Sequence, residues 1–299
     1  MVAVREPAVA GTFYPAEPGR LTALVDRLLA ASSRPTHGPL PSPALPDRAP
    51  LGLLVPHAGL VYSGVVAATG WRHVGGAWPD TPVTVVLLGT NHGASWLDGV
   101  AGWGPGAWRT PLGDVPIDTD LTDAVLGLGL PFLIDRDAHV GEHSIEVQLP
   151  ILQTVTPRAR IVPLAVSTGT GDDAVAAGAR LGALLALRRA AGYPVVLAIS
   201  SDMAHYPVAT ACAKATDDLL PAVLRLDPIA LAVREAALVA GGTPGLVCGM
   251  CGIEPAILGL SALRAMGAGR GAALGAATSA DAGGPPDRTV GYLAVAWTA

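Results

Sequence analysis

The fold is decided by a pattern that first occurs in the stretch Leu51-Gly52-Leu53-Leu54-Val55-Pro56-His57-Ala58-Gly59. Its first five residues are apolar and do not alternate with polar ones, which is typical of a parallel strand covered on both faces. A turn with a histidine and a glycine follows at once. The same order of apolar run and histidine turn recurs in residues 83–92 and 195–205. Since parallel strands end at a shared edge of the sheet, these turns are predicted to meet in one crevice.

The rest of the chain alternates between helical and strand patterns. Apolar residues at helical spacing predict helices near residues 19–31, 61–71, 120–128, 144–155, 172–190, 210–220, 228–240 and 254–266. Pro150 is expected to kink the fourth of these helices. Apolar runs predict strands near residues 51–55, 83–88, 161–166, 195–199, 272–277 and 290–297. The alternation predicts an α/β fold, a three-layer αβα sandwich with a mostly parallel central sheet.

Residues 33–50 interrupt this order with six prolines and almost no periodicity. Such a composition is typical of an exposed loop. The segment before it is too short to fold alone. We therefore predict a single domain over residues 1–299, with residues 33–50 as a surface loop.

The composition excludes several classes of protein. Of the 299 residues, 51% are hydrophobic and 14% are charged, which argues against disorder. The net charge of -5, without a basic cluster, argues against a nucleic-acid partner. Arginines interrupt the Ala/Leu-rich runs, so no membrane span is expected. The first residues lack the pattern of a signal peptide, and three sparse cysteines do not form a disulfide framework. We expect a cytoplasmic protein, and the low charged fraction is compatible with a homo-oligomer.

Two of the strand-end histidines are candidate metal ligands. His57 and His92 each follow a buried strand, and a neighbouring glycine permits close approach of the backbone to a ligand. Neutral imidazole is a common ligand of zinc, iron and copper. Alternatively, each histidine simply caps its strand or bonds a carbonyl. The repetition of the motif favours the metal pair.

The third turn, Ser200-Ser201-Asp202-Met203-Ala204-His205-Tyr206, carries the richest set of polar groups. Asp202 and His205 are close enough in sequence for Asp202 to fix the tautomer of His205, which would then transfer protons. A serine hydrolase with Ser200 or Ser201 as nucleophile is a weaker alternative, because no Gly-x-Ser-x-Gly elbow surrounds either serine. Asp202 could also cap a helical turn.

A further histidine, His143, lies at the predicted start of the helix over residues 144–155. The helix dipole disfavours a protonated imidazole there, so a neutral, substrate-orienting role is expected. Glu142 and Glu146 are one helical turn apart and could form a solvated face. For His139 the sequence does not decide.

Cys248 and Cys251 have C-x-x-C spacing just before a predicted helix. They could form a redox dithiol, although no aromatic residue or proline lies between them. A structural zinc site would need a second pair of ligands. Alternatively Cys251 joins His57 and His92 as a thiolate ligand, favoured by the helix dipole, or both cysteines are small buried hydrophobes.

Taken together, these motifs resemble the Memo family (mediator of cell motility; in prokaryotes, the AmmeMemoRadiSam system protein B group). Order and spacing agree over nearly the whole chain. One departure is Ile253, where the family often carries arginine. Another is Cys248, an additional thiol. The segments that carry the resemblance are Ala10-Gly11-Thr12-Phe13-Tyr14-Pro15, Pro56-His57-Ala58-Gly59, Gly89-Thr90-Asn91-His92, Glu142-His143-Ser144-Ile145-Glu146, Ser200-Ser201-Asp202-Met203-Ala204-His205, Cys251-Gly252-Ile253-Glu254-Pro255 and Val290-Gly291-Tyr292-Leu293-Ala294.

The resemblance implies a fold similar to that of class III extradiol dioxygenases of the protocatechuate 4,5-dioxygenase type. Those enzymes hold non-haem Fe(II) with two histidines and a glutamate, and in Memo proteins a cysteine replaces the carboxylate. The metal ligands would then be His57, His92 and Cys251. The catalytic groups would be His205, Asp202 and His143, the last lining the cleft.

What reaction follows depends on the metal. A set of two histidines and a cysteine is softer than the usual facial triad, so copper and zinc compete with Fe(II). With iron, the resemblance implies oxygenase-like redox chemistry on O₂ and a small substrate, with aromatic compounds among the candidates. Zinc would suit hydrolysis instead. A third possibility is a non-catalytic scaffold that binds copper, iron or a peptide.

Overall fold

The computed structural model describes residues 3–32 and 48–299. The predicted loop at residues 33–50 falls largely on residues 33–47, outside the described part of the chain. The strands are β1 (Ala3–Arg5), β2 (Gly52–Val55), β3 (Thr84–Thr90), β4 (Gly99–Gly102), β5 (Gly106–Thr110), β6 (Gly113–Pro116), β7 (Phe132–Ile134), β8 (Arg160–Ser167), β9 (Val195–Ser200), β10 (Met203–His205), β11 (Cys248–Met250), β12 (Ala272–Thr278) and β13 (Gly291–Trp297). The helices are α1 (Pro18–Ala31), α2 (Leu60–Ala77), α3 (Thr119–Leu126), α4 (Asp137–Val140), α5 (Leu149–Val155), α6 (Asp172–Ala190), α7 (Ala209–Leu224), α8 (Pro228–Ala240) and α9 (Ile253–Ala265).

Eight strands form the central sheet, in the order β12-β13-β2-β9-β3-β8-β4-β7. The four in the middle, β2, β9, β3 and β8, are mutually parallel. Antiparallel pairs occur only towards the two sides, where β13 pairs with β2 and β4 pairs with β8. The mostly parallel central sheet is therefore confirmed. In addition, β1, β5 and β6 form a small sheet, and β10 and β11 form an antiparallel pair.

Residues that alternate along the central strands pack into two different cores. In β2, Leu53 and Val55 join a cluster that contains Trp71 of α2 and residues of α1 and α5. Between them, Leu54 points to the other face and joins Leu181 of α6 and Leu258 of α9. Side chains of a strand point to opposite faces in turn, so both faces of the sheet are covered by helices. The three-layer αβα sandwich is confirmed.

Helix α9 is buried almost all round, because it lies between α6 and the sheet. Gly178 and Gly182 of α6 permit this contact, since a Cβ at either position would collide with the carbonyl oxygens of Leu258 and Ala262. The helix also packs against β9 and β3. The residues just before α9, including Cys251, are therefore held at the ends of those two strands.

The predicted helices other than that over residues 144–155 occur, and α6 and α8 have the predicted bounds. The prediction of a helix over residues 144–155 with a kink at Pro150 is wrong. A 3-10 helix (Glu146–Gln148) comes first, and Pro150 lies in the first turn of α5. Proline lacks a backbone N–H, and it fits there because an N–H in the first turn has no acceptor within the helix.

Several short strands carry no signal in the sequence. Strands β1, β4 to β7, β10 and β11 have only three to five residues each. Such lengths are too short for a clear period of two. No helix in residues 3–32 and 48–299 has the length and apolar character that crossing a bilayer requires.

Candidate metal centre

Three turns converge at one edge of the central sheet. Strands β2, β9 and β3 are neighbours and parallel, and at their carboxyl ends lie His57, Asp202 and His92. Asp202 is in the middle, and its Oδ1 accepts the backbone N–H of His57 at 2.7 Å. The predicted meeting of the histidine turns in one crevice is confirmed.

His57, His92 and His143 form a cluster able to hold a metal ion. One ligand atom from each lies within 4.8 Å of those of the other two. The imidazole centroids are 5.2 Å apart for His57 and His92, 5.4 Å for His57 and His143, and 4.5 Å for His92 and His143. Burial lowers the pKa of His57 well below its usual value and that of His143 to about 4. Both imidazoles are therefore neutral at physiological pH and can donate a lone pair.

The orientation of His92 is set by the buried carboxylate of Glu142. Oε1 accepts from Nδ1 of His92 at 2.9 Å, and Oε2 accepts from its backbone N–H at 2.7 Å. The backbone N–H groups of His143 and Ser144 also donate to Oε1. Burial would raise the pKa of Glu142, but these hydrogen bonds hold it well below its usual range. With its Nδ1 proton engaged, His92 presents Nε2 as its free donor atom.

Glu146 is buried as well, so the alternative of a solvated face for Glu142 and Glu146 is wrong. Its carboxylate pairs with Arg5 at 2.6 Å and accepts from the Tyr14 hydroxyl at 2.5 Å. Backbone N–H groups of residues 8 and 9 donate to it too. These bonds fix the N-terminal segment that carries Phe13, whose ring lies 4.6 Å from that of His143.

Cys251 lies next to the histidine cluster and contacts His57. Its Sγ lies 3.2 Å from Nε2 of His57. The following Gly252 donates its N–H to Oγ of Ser201, and a Cβ there would crowd Ser201 and Thr90. The turn is thus wedged between the ends of β9 and β3.

The helix dipole was predicted to favour a thiolate at Cys251, but the pKa of this thiol is raised. Burial first, and the Asp202 carboxylate second, raise its pKa well above the usual value. The protein alone therefore holds Cys251 as a thiol. A divalent cation next to the sulfur would reverse this balance, because coordination deprotonates a thiol. Its role as a ligand stays a prediction.

Asp202 and His205 both line the crevice, but they do not interact as predicted. Nδ1 of His205 bonds the carbonyl oxygen of Met203 at 2.8 Å, and this contact, rather than Asp202, fixes its tautomer. Asp202 instead accepts from the N–H groups of His57 and Ala58, and it precedes β10 rather than capping a helical turn. Burial raises the pKa of Asp202 to about 7. The pKa of His205 is lowered by burial.

The serine-hydrolase alternative does not fit the surroundings of either serine. Ser200 is completely buried, and its Oγ donates to the carbonyl oxygen of Ser144 at 2.6 Å. Ser201 is buried too, and its Oγ donates to the carbonyl oxygen of Asp202. A nucleophile needs access to substrate and a base that receives its proton. Neither hydroxyl meets these conditions.

The histidine cluster lies in the wall of a cleft of about 590 Å³. Phe13, Tyr62, Tyr206 and Tyr292 line it, although the whole chain contains only 2 Phe and 5 Tyr. Tyr206 has a left-handed backbone, with φ of 73°. Such a conformation is rare for a bulky residue and is found where structure around it enforces it. Cys248 also lines the cleft, and both thiols are free.

Sequence reasoning missed two groups that hold the histidines. For Glu142 the sequence suggested a solvated face as one alternative and no contact with a histidine, although its position next to His143 was a usable signal. Gln148 was not considered, and its amide donates to the Pro56 carbonyl and to Oγ of Ser200, both at 2.9 Å. Nothing in the local pattern distinguishes this glutamine from a solvated one.

The comparison with known families gives a match over nearly the whole chain. Residues 5–296 match the profile of the Memo-like protein family. The chain belongs to the Memo family. It is 35% identical over 292 residues to a MEMO1 family protein of Aquifex aeolicus, covering 97% of both chains. A MEMO1 family protein of Methanopyrus kandleri is 35% identical over 292 residues, which are 97% of this chain and 98% of the relative.

A solved structure also resembles this Memo family chain. An uncharacterised protein of Escherichia coli K12 aligns with a TM-score of 0.52 and 18% identity, covering 83% of this chain and 99% of that one. At such low identity the likeness concerns the fold alone.

Proposed function

We propose that this protein is a metal-dependent redox enzyme that holds non-haem Fe(II) and carries out oxygenase-like chemistry on a small aromatic substrate. The observation that carries the proposal is the cluster of His57, His92 and His143 in the wall of the cleft, with donor atoms within 4.8 Å of one another. Three neighbouring imidazoles, two of them at strand ends, are the arrangement expected around a bound cation.

The donor set fits a transition metal. We assign His57, His92 and Cys251 as ligands, because the thiol lies beside Nε2 of His57 and the His92 tautomer leaves its Nε2 free. His143 is then a neutral hydrogen-bonding group beside the substrate, or a replacement for Cys251 as third ligand. The sulfur makes the set softer than two histidines and a carboxylate, so copper and zinc are the competing metals.

Iron(II) in such a site would supply a centre that can bind the substrate and O₂ side by side. The protein itself supplies groups for proton transfer. His205 donates its Nδ1 proton to the Met203 carbonyl, which leaves Nε2 as a base. Asp202, with a pKa near 7, can accept or deliver a proton at physiological pH.

The size and the lining of the cleft support a small aromatic substrate. Its volume of about 590 Å³ lies within the range of ordinary ligand sites. Four aromatic residues line it, which favours an aromatic partner. Ala58 and Gly59, which have little or no side chain, lie on the same wall.

The test is the metal content of protein purified without oxygen, measured by elemental analysis. We expect near-stoichiometric iron in the wild type and its loss in His92→Ala and Cys251→Ser. Cys248→Ser is the matched control, since it removes a thiol from the same cleft and should keep the metal. If iron is kept in Cys251→Ser but lost in His143→Ala, the third ligand is His143 and not Cys251.

Activity decides the reaction. The proposal predicts O₂ uptake with catechols or related electron-rich aromatics and its loss in His57→Ala. Iron-loaded protein that consumes no O₂ with a broad panel would overturn the oxygenase. Zinc together with turnover in the absence of O₂ would indicate a hydrolase. No metal in any sample would indicate a binding scaffold.

A further inference from the structure

The hydroxyl of Ser200 lies at the centre of a buried hydrogen-bond network behind His57. Ser200 and Gln148 are both fully buried. Oγ of Ser200 is 2.6 Å from the Ser144 carbonyl oxygen, 2.9 Å from Nε2 of Gln148 and 3.1 Å from Nδ1 of His57. A hydroxyl has only one proton to donate, so in three hydrogen bonds it must donate in one and accept in the other two.

The orientation of the Gln148 amide is fixed first. The indole N–H of Trp71 can only donate, and it lies 2.8 Å from one end of the amide, which must therefore be Oε1. The carbonyl oxygen of Pro56 can only accept, and it lies 2.9 Å from the other end, which must be the NH₂ group. Gln148 thus donates to Ser200.

The Ser200 proton is fixed next. The Ser144 carbonyl oxygen can only accept, so the Ser200 hydroxyl donates to it. No proton then remains for His57. The contact between Oγ and Nδ1 is a hydrogen bond only when Nδ1 of His57 carries the proton.

We infer that Ser200 is a positioning residue that locks His57 in its Nδ1–H tautomer. The lone pair of Nε2 then points to the side of the ring where Sγ of Cys251 lies at 3.2 Å. The opposite tautomer would bring two lone pairs together at Nδ1 and turn an N–H towards the thiol. The metal ligand atom of His57 is thus prepared before any cation arrives, and for this consequence the inference rests on the proposed function.

His92 is held in the same Nδ1–H tautomer by a different kind of acceptor. A carboxylate, that of Glu142, holds its Nδ1 proton. Behind His57 the acceptor is a neutral hydroxyl whose direction is set by an indole and two backbone carbonyls. The group in contact with Nδ1 of the fully buried His57 is thus uncharged, whereas a carboxylate at that place would need its own counter-charge.

The decisive measurement is the tautomer itself, by long-range ¹H–¹⁵N correlation NMR on metal-free, ¹⁵N-histidine-labelled protein at pH 7.5. The chain has 7 histidines, and His57→Gln assigns the signal. We expect Nδ1 of His57 to carry the proton in the wild type. An Nε2–H pattern in the wild type would overturn the inference without any variant having to fold, and it would leave the metal proposal standing.

Variants test the role of the hydroxyl. Ser200→Ala should lose the pure Nδ1–H pattern, whereas Ser200→Thr, which keeps the hydroxyl, should retain it. Ser261→Ala is the matched control, because Ser261 is equally a buried serine but bonds within α9. An unchanged Nδ1–H pattern in Ser200→Ala would overturn the inference.

Cobalt(II) titration measures the consequence for the metal. The dissociation constant of Ser200→Ala should rise about 10- to 100-fold, as is typical when the partner of a ligating histidine is removed. Ser200→Thr and Ser261→Ala should stay near the wild type. Equal affinity in Ser200→Ala and wild type would refute the positioning role, while a wild type that binds no cobalt would refute the metal proposal and leave the tautomer result intact.

Discussion

Replacing Glu142 by glutamine tests how the site is built. Its carboxylate accepts four hydrogen bonds, two from His92 and one each from the backbone N–H groups of His143 and Ser144. In Glu142→Gln the amide oxygen can replace Oε1 and keep three of them. The NH₂ group then faces the His92 backbone N–H, which loses its acceptor.

The magnitude follows from these contacts. A hydrogen bond to a charged group contributes roughly 1.5–3 kcal/mol, and the remaining three bonds lose their charge assistance. We therefore expect the free energy of unfolding to fall by at least about 2 kcal/mol, a large share of the roughly 5–15 kcal/mol of an ordinary domain. Since His92 loses its rigid partner, cobalt(II) affinity should fall about 10- to 100-fold.

Urea unfolding of metal-free protein at pH 7 measures the first effect, and cobalt titration measures the second. Glu254→Gln is the control, because Glu254 accepts a single backbone hydrogen bond, from Thr168, at a less buried position. It should lose less than about 1 kcal/mol. If Glu142→Gln loses no more stability than Glu254→Gln, the role given to Glu142 is wrong.

Three further outcomes are expected. Glu146→Gln should lower the free energy of unfolding by about 3–5 kcal/mol, because it leaves Arg5 buried without its counter-ion; urea denaturation checks this. Burial lowers the pKa of His139 to about 4 from 6.5. Between these values the unfolded chain binds a proton at His139 and the folded chain does not, so the contribution of His139 to stability should fall by about 3 kcal/mol as pH drops from 6.5 to 4. Tyr206→Asn, which tolerates the left-handed backbone, should keep the fold but weaken binding of 4-nitrocatechol to iron-loaded protein about tenfold.

Each of these has a contrary result. A loss below about 1 kcal/mol in Glu146→Gln would mean that water reaches Arg5. His139→Gln should remove the contribution of His139, so the stability of the variant should fall less than that of the wild type between pH 6.5 and 4; equal falls would contradict the role given to His139. Unaltered catechol affinity in Tyr206→Asn would show that this ring does not contact the substrate.

The sequence predicted the sheet and the edge at which the histidine turns meet, because that information is local. A strand formed by a continuous apolar run, such as residues 83–88, must be covered on both faces of the sheet. The turn after each run must lie at the carboxyl end of its strand. His57, His92 and Asp202 could therefore be grouped without coordinates. Short strands such as β10 and β11 were not predicted, because three residues are too few to show the alternation of a strand.

The chemical state of those residues was decided by the tertiary structure alone. Glu142 and Glu146 have the spacing of a solvated helix face, yet both are buried because the N-terminal segment packs over them. The tautomer of His57 depends on Ser200, 143 positions away, and on the direction of the Gln148 amide. A local pattern says which side chains reach an edge of the sheet. Their partners there, and hence their protons, are set by distant segments whose contacts exist only in the folded chain.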